Sequence, residues 1–161
     1  MEIILKTILT GIGATIIMDI WAWLLRKLFK VQGLNYAFLG RWIGHLFKGK
    51  FNHHPIMASE PIPGELALGW MAHYGIGITF SILLVMLWGP EWLASPQILP
   101  ALIIGIGTTV APFFLMQPAM GMGIAAARTP KPAIARLKSL MTHTIYGIGL
   151  YLAAQLLTFL P

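Results

Sequence analysis

The run LALGWMAHYGIGITFSILLVMLW, residues 66–88, holds one side chain that titrates near neutrality, His73, and no Lys, Arg, Asp or Glu. As an α-helix rising about 1.5 Å per residue it would be about 34 Å long, enough to cross a hydrocarbon layer of about 30 Å. A helix on a soluble protein carries a polar face at a period of 3.6 residues, and a membrane barrel strand alternates polar with apolar residues. This run does neither. It is apolar on every side, so the solvent that fits it is lipid, where a lone segment must satisfy its own backbone hydrogen bonds, as a helix does.

Three further runs of the same kind flank it, residues 3–25, 98–116 and 140–160, with only Lys6, Asp19 and His143 as charged or imidazole side chains. Composition agrees. Of 161 residues 57% are hydrophobic and 10% charged, where a soluble domain draws about a quarter of its residues from the charged set. The expected fold is therefore an all-α membrane protein, a single integral-membrane domain over residues 1–161 built as a bundle of four transmembrane helices. The absence of cysteine excludes disulfides, thiolate metal sites and thiol catalysis. The first run is too long for a cleaved leader, carries Asp19 and ends at Arg26-Lys27, so it is expected to be retained.

Charge sets the topology. Arg26, Lys27, Lys30, Arg41, Lys48 and Lys50 lie in the first connector, residues 26–65; Arg128, Lys131, Arg136 and Lys138 lie in the third, residues 117–139. The short connector around Glu91 has no Lys or Arg, so the positive-inside rule predicts both basic connectors in the cytoplasm and both termini on the outer, periplasmic side of a bacterial inner membrane. Trp21, Trp23 and Trp70 then fall toward the inner interface, Trp88 and Trp92 at the outer one. The net charge of +6 reads as attraction to lipid headgroups and not to nucleic acid.

Within the first connector, Leu34, Phe38, Leu39, Trp42, Ile43, Leu46 and Phe47 recur at helical spacing with Arg41, His45 and Lys48 between them. This predicts an interfacial amphipathic helix between the first two spans, flat in the headgroup layer, with Arg41, Lys48 and Lys50 meeting anionic headgroups. Pro55, Pro61 and Pro63 keep the following stretch non-helical. His53-His54 reads as a solvated loop pair, because two adjacent imidazoles without companions make a poor metal site; no metal is predicted. Gly44-x4-Gly49-Lys50 ends in Phe51 where a phosphate loop needs Ser or Thr, and Gly121-x-Gly123-x-x-Ala126 follows no strand, so neither is a nucleotide cradle. Pro112 and Pro118 are expected to kink or end the third span, leaving the uncharged stretch from Met116 to Ala127 flexible or re-entrant.

The halves echo each other. Gly11-Ile12-Gly13-Ala14-Thr15 matches Gly105-Ile106-Gly107-Thr108-Thr109, and His73 with Gly77 matches His143 with Gly147, a pattern open to a parallel 2+2 internal repeat or to chance. Spacing by four places Thr7, Gly11, Thr15 and Asp19 on one helical face, and likewise Gly69, His73, Gly77, Ser81; Gly105, Thr109, Gln117, Gly121; and Ser139, His143, Gly147, Tyr151. The glycines and hydroxyls suit close helix packing, including a homo-oligomer contact.

Ionisable groups inside lipid are expensive and mark function by default. At about 1.5 Å per residue Asp19, His73 and His143 lie about 9, 10 and 5 Å inside the ends of their runs, all toward the cytoplasmic side. With Gln117, Thr15 and Tyr74 they form the expected polar core. An apolar setting disfavours charge on each group while aspartate–imidazolium pairing favours it, so such a set exchanges protons; it equally serves as a hydrogen-bonded clasp that orders the helices.

The segments Met18-Asp19-Ile20-Trp21, Leu34-Asn35-Tyr36, Gly40-Arg41-Trp42, Pro63-Gly64-Glu65, Leu68-Gly69-Trp70, Ala72-His73-Tyr74, Ala111-Pro112-Phe113-Phe114, Met116-Gln117-Pro118 and Leu140-Met141-Thr142-His143 together resemble a bacterial integral-membrane family known as domain of unknown function 2938. The resemblance spans nearly the whole chain and implies a bacterial cytoplasmic-membrane protein without an assigned reaction, so it transfers no site residue and leaves catalytic residues unknown. The leading expectation is a small proton-responsive transporter or solute-binding protein rather than an enzyme, without a cofactor. The alternatives are a haem-binding electron-transfer or enzyme module using His73 and His143, and a structural accessory subunit.

Overall fold

The computed structural model describes residues 2–159, and among them every regular element is helical. Four helices are long and apolar enough to cross a membrane: Glu2–Phe29, Glu65–Trp88, Ile98–Ala119 and Pro132–Thr158. We label α1 Glu2–Phe29, α2 Tyr36–Leu46, α3 Glu65–Trp88, α4 Glu91–Ala94, α5 Ile98–Gly107, α6 Gln117–Ala119 and α7 Pro132–Thr158. Each end has a local cause. Glu2 opens α1 and Arg26 and Lys27 close it, complementing the helix dipole. Asn35 caps α2, its side-chain oxygen accepting from the Ala37 amide at 3.0 Å. Gly89, at φ +84°, and Pro90 end α3, and Pro132, whose missing N–H costs nothing in a first turn, starts α7.

The chain forms two compact units. One comprises Met1–Gly33, Tyr74–Thr108 and Met141–Pro161; the other comprises Leu34–His73 and Thr109–Leu140. In the first, Ala14, Leu84, Trp92, Ala101, Ile104, Tyr146 and Leu150 make the core. Glycines let the helices approach. A Cβ at Gly11 would lie 2.7 Å from the Ile78 Cα, and one at Gly105 would lie 2.5 Å from the Gly147 Cα. The matching motifs thus occupy matching places: each Gly-Ile-Gly string packs at the glycine four residues after a histidine, α1 on α3 and α5 on α7. Interhelical hydrogen bonds from Ser81 to the Thr7 carbonyl and from Tyr146 to the Gly77 carbonyl accompany the contacts.

In the second unit Leu39, Trp42, Ile56, Ala119 and Met120 form a separate core. Here α2 crosses the start of α3 at Gly40 and Gly69, where added Cβ atoms would fall on the carbonyl oxygens of Glu65 and Tyr36. The amphipathic helix exists, but protein and not headgroup covers its inner face: Leu39 is 2% and Trp42 8% exposed.

Three expectations are corrected. The fourth helix begins at Pro132, eight residues before the apolar run, because a stretch carrying Arg136 and Lys138 can continue a helix beyond the hydrocarbon. The stretch from Met116 to Ala127 is pinned, with the amides of His53 and Ile56 donating to the carbonyls of Ala119 and Met120 and the Arg128 amide to Met122. The prolines interrupt and end the third span as expected: Pro112, lacking an N–H, stands in a π-turn over Pro112–Met116 in which the Gln117 amide bonds the Pro112 carbonyl, so the four-residue stripe loses its register there, and the span ends at Ala119, one residue past Pro118. Trp92 leaves the outer belt, being 5% exposed with its indole N–H on the Gln97 carbonyl at 3.1 Å.

Candidate functional site: polar groups in apolar helices

In the first unit the α1 stripe turns inward. Thr15 is fully buried and donates to the Gly11 carbonyl at 2.8 Å, which satisfies its hydroxyl within its own helix and makes it a packing residue against Gly77. One turn on, Asp19 is half-buried, and the Tyr74 hydroxyl of α3 donates to its Oδ2 at 3.1 Å. A phenol can donate to a carboxylate, more strongly, or to the carbonyl oxygen of a protonated acid, so the contact is compatible with either protonation state.

His143 has two polar neighbours at one ring nitrogen. Its Nδ1 lies 3.1 Å from the Thr108 Oγ and 3.3 Å from the Gly105 carbonyl oxygen. The Thr108 hydroxyl also lies 2.8 Å from that same carbonyl; when it donates there, both neighbours of Nδ1 are acceptors and Nδ1 carries the hydrogen. In that arrangement Nε2 is the basic nitrogen of the ring. Thr108 was legible only as part of the glycine-rich repeat; nothing in its spacing marked it as the partner of a histidine 35 residues away.

In the second unit His73 is 9% exposed, and the Tyr36 hydroxyl lies 3.1 Å from its Nε2, with Tyr36 and Trp70 packed against the ring at 4.3 and 5.7 Å between centroids. The nitrogen that a haem iron would take is thus engaged. Gln117 is buried and donates to the Ser139 hydroxyl at 3.2 Å, while its Oε1 and the Thr109 hydroxyl are buried with no partner among the described residues. Asp19, His73, His143 and Gln117 each meet a hydroxyl, from Tyr74, Tyr36, Thr108 and Ser139 in turn. Among the described residues no three His, Asp or Glu side chains are grouped to hold a metal.

The residues expected at the headgroups divide. Arg41 is 7% exposed and its guanidinium bonds both Glu65 oxygens at 2.8 Å, with the Ser59 carbonyl at 3.0 Å on the remaining nitrogen. The Glu65 carboxylate raises the affinity of Arg41 for its proton above the ordinary arginine value, and a buried bidentate pair has no charge to offer a lipid. Lys48 and Lys50 are exposed. His53 is likewise not solvated: it is 1% exposed, its Nδ1 meets the Ser59 Oγ at 2.7 Å, and its ring stacks on His45 with centroids 5.0 Å apart and planes 27° apart. Burial, and then the charge of His45, push the His53 imidazole below its ordinary range.

Residues 8–157 match the family described as protein of unknown function (DUF2938). The chain belongs to this family. No curated protein and no solved structure matches it. As a DUF2938 member it carries no inherited assignment of activity, and Asp19–Tyr74, Tyr36–His73 and His143 all fall within the matched residues.

Proposed function

We propose that this DUF2938 protein is a small proton-responsive transporter or solute-binding protein of the bacterial cytoplasmic membrane, with both basic connectors in the cytoplasm and both termini outside. The reading rests on one observation: two ionisable groups inside apolar helices, Asp19 and His143, each meet a hydroxyl. In this reading Tyr74 can donate to Asp19 in either protonation state, and Gly105 and Thr108 hold Nδ1 of His143, which leaves Nε2 to take the proton. A clasp whose sole task was to order helices would be served as well by neutral amides; an acid and an imidazole in lipid are retained at a cost that proton linkage repays. Orientation is supported by the ten basic residues of the two connectors.

The test is a pH-jump infrared difference spectrum of protein in lipid, paired with dye-loaded proteoliposomes that report acidification after a proton gradient is imposed. A carboxylic-acid carbonyl band that appears on acidification and is missing from Asp19→Asn, with vesicle acidification altered in the same variant, supports the reading. Identical spectra and identical vesicle traces for wild type and Asp19→Asn overturn it. The haem reading requires Nε2 of His73, which Tyr36 holds, and predicts a Soret band lost on His143→Ala.

A further inference from the structure

The turn Phe47-Lys48-Gly49-Lys50-Phe51 at the end of α2 is a built feature. The Lys50 amide bonds the His45 carbonyl at 3.0 Å and the Gly49 amide bonds that of Leu46 at 2.9 Å, the paired closure of a Schellman cap, with Gly49 in the left-handed region at φ +73°. Phe51 is tied from behind: its carbonyl accepts the Trp42 indole N–H at 2.9 Å, and its ring meets that of Trp42 edge-on at 5.7 Å. What this rigid turn presents is unusual in two respects. Phe47 is 85% exposed, the highest value among the large apolar side chains described, and it lies outside the four long apolar helices; Phe51 is 44% exposed. Lys48 and Lys50 both lie between the two rings in the chain, are exposed, and make no ion pair among the described residues. A Cβ placed on Gly49 would meet nothing within 4 Å, so the tip is open.

We propose that this tip docks on the surface of an anionic phospholipid bilayer, with the Phe47 and Phe51 rings in the boundary between headgroups and acyl chains and the Lys48 and Lys50 ammonium groups on the phosphates. The chemistry selects this partner. Two rings and two cations on one turn match a surface that is apolar a few ångströms below a negatively charged layer, and the capped backbone needs little further ordering to bind. The chain crosses the same membrane, so that surface is always at hand. The headgroup contact is thus assigned to a tip of five residues and not to the face of α2, whose arginine is buried against Glu65.

The test uses the full chain in lipid nanodiscs. Because the protein has no cysteine, Asn52→Cys, next to the tip and exposed, takes a single environment-sensitive fluorophore whose reduction by aqueous dithionite reports exposure to water. The expected result is slower reduction in discs containing phosphatidylglycerol than in discs of phosphatidylcholine alone. Each lysine changed to glutamine, Lys48→Gln or Lys50→Gln, should lower the docked-to-free ratio about fivefold, and high salt should do the same. Phe47→Ser should abolish quenching by spin-labelled lipid; a side chain 85% exposed has no part in folding, so this variant stays interpretable. Equal reduction rates in both lipids, or rates indifferent to the lysine substitutions, overturn the proposal. So does protection that persists in detergent and grows with protein concentration, which would assign the tip to a second copy of the chain.

Discussion

Removing either partner of the Arg41–Glu65 pair should be costly, and the two removals should differ. Arg41 sits at 8% side-chain exposure and Glu65 at 17%. Breaking a buried ion pair by deleting one member costs about 3–5 kcal/mol, because the survivor is left uncompensated. In Arg41→Met the survivor is a carboxylate with some access to water that can also take a proton, so the cost belongs near about 3 kcal/mol, including the lost bond to the Ser59 carbonyl. In Glu65→Leu the survivor is a more deeply buried guanidinium that cannot shed its charge, so the cost belongs near about 5 kcal/mol. The double variant removes both desolvation penalties and should cost no more than about 2 kcal/mol, giving a coupling of several kcal/mol. Equilibrium unfolding in mixed micelles, followed by circular dichroism, measures all three. Additive losses within about 0.5 kcal/mol, or Arg41→Met costing more than Glu65→Leu, would refute the reasoning.

Other consequences are as direct. His53 is held below its ordinary range while the unfolded chain's imidazole takes up a proton below about pH 6.5, so stability should be full above that pH and decline as pH falls toward the folded value; His45 stacks on the ring, and its charge and those of Lys50 and His54 add repulsion. Thermal unfolding between pH 5 and 8 should show this slope, and His53→Gln should flatten it. Gly105→Ala places a methyl 2.5 Å from the Gly147 Cα and 2.6 Å from the His143 carbonyl oxygen, backbone atoms that cannot rotate away, so about 1–3 kcal/mol or more should be lost in the same assay. Thr108→Val removes one acceptor of the His143 Nδ1 proton, and nitrogen NMR of the imidazole should show a mixture of tautomers where the wild type shows one; an unchanged spectrum would mean that the Gly105 carbonyl alone sets the tautomer. Tyr74→Phe should shift the carboxyl infrared band assigned to Asp19, and a band that does not move would separate the two groups.

Local pattern made part of the site legible. The four apolar runs need no knowledge of partners, since length and freedom from charge are properties of each run by itself, and they reappear as the four long helices. Spacing by four is equally local: Gly69, His73, Gly77 and Ser81 are all buried, as one face of α3 should be. The same arithmetic misjudged the third span, where two prolines replace α-helical register with a π-turn that no count by fours can follow. It also misjudged residues by their neighbours in the chain. His53 looked solvated beside His54, yet its partner is His45, eight residues back on α2, and its environment is set by a loop pinned to residues 119 and 120.

What the sequence determined by itself is the solvent and the inventory: lipid around four helices, two basic connectors, and a few titratable side chains inside the apolar runs. What only the tertiary structure decided is the pairing: Asp19 with Tyr74, His73 with Tyr36, His143 with Thr108 and Arg41 with Glu65. The physical reason is range. Hydrophobic transfer acts on each segment independently and is written in its composition, whereas a hydrogen bond exists only within about 3 Å, and the chain approaches itself that closely at places fixed by glycine contacts such as Gly11 on Gly77 and Gly40 on Gly69.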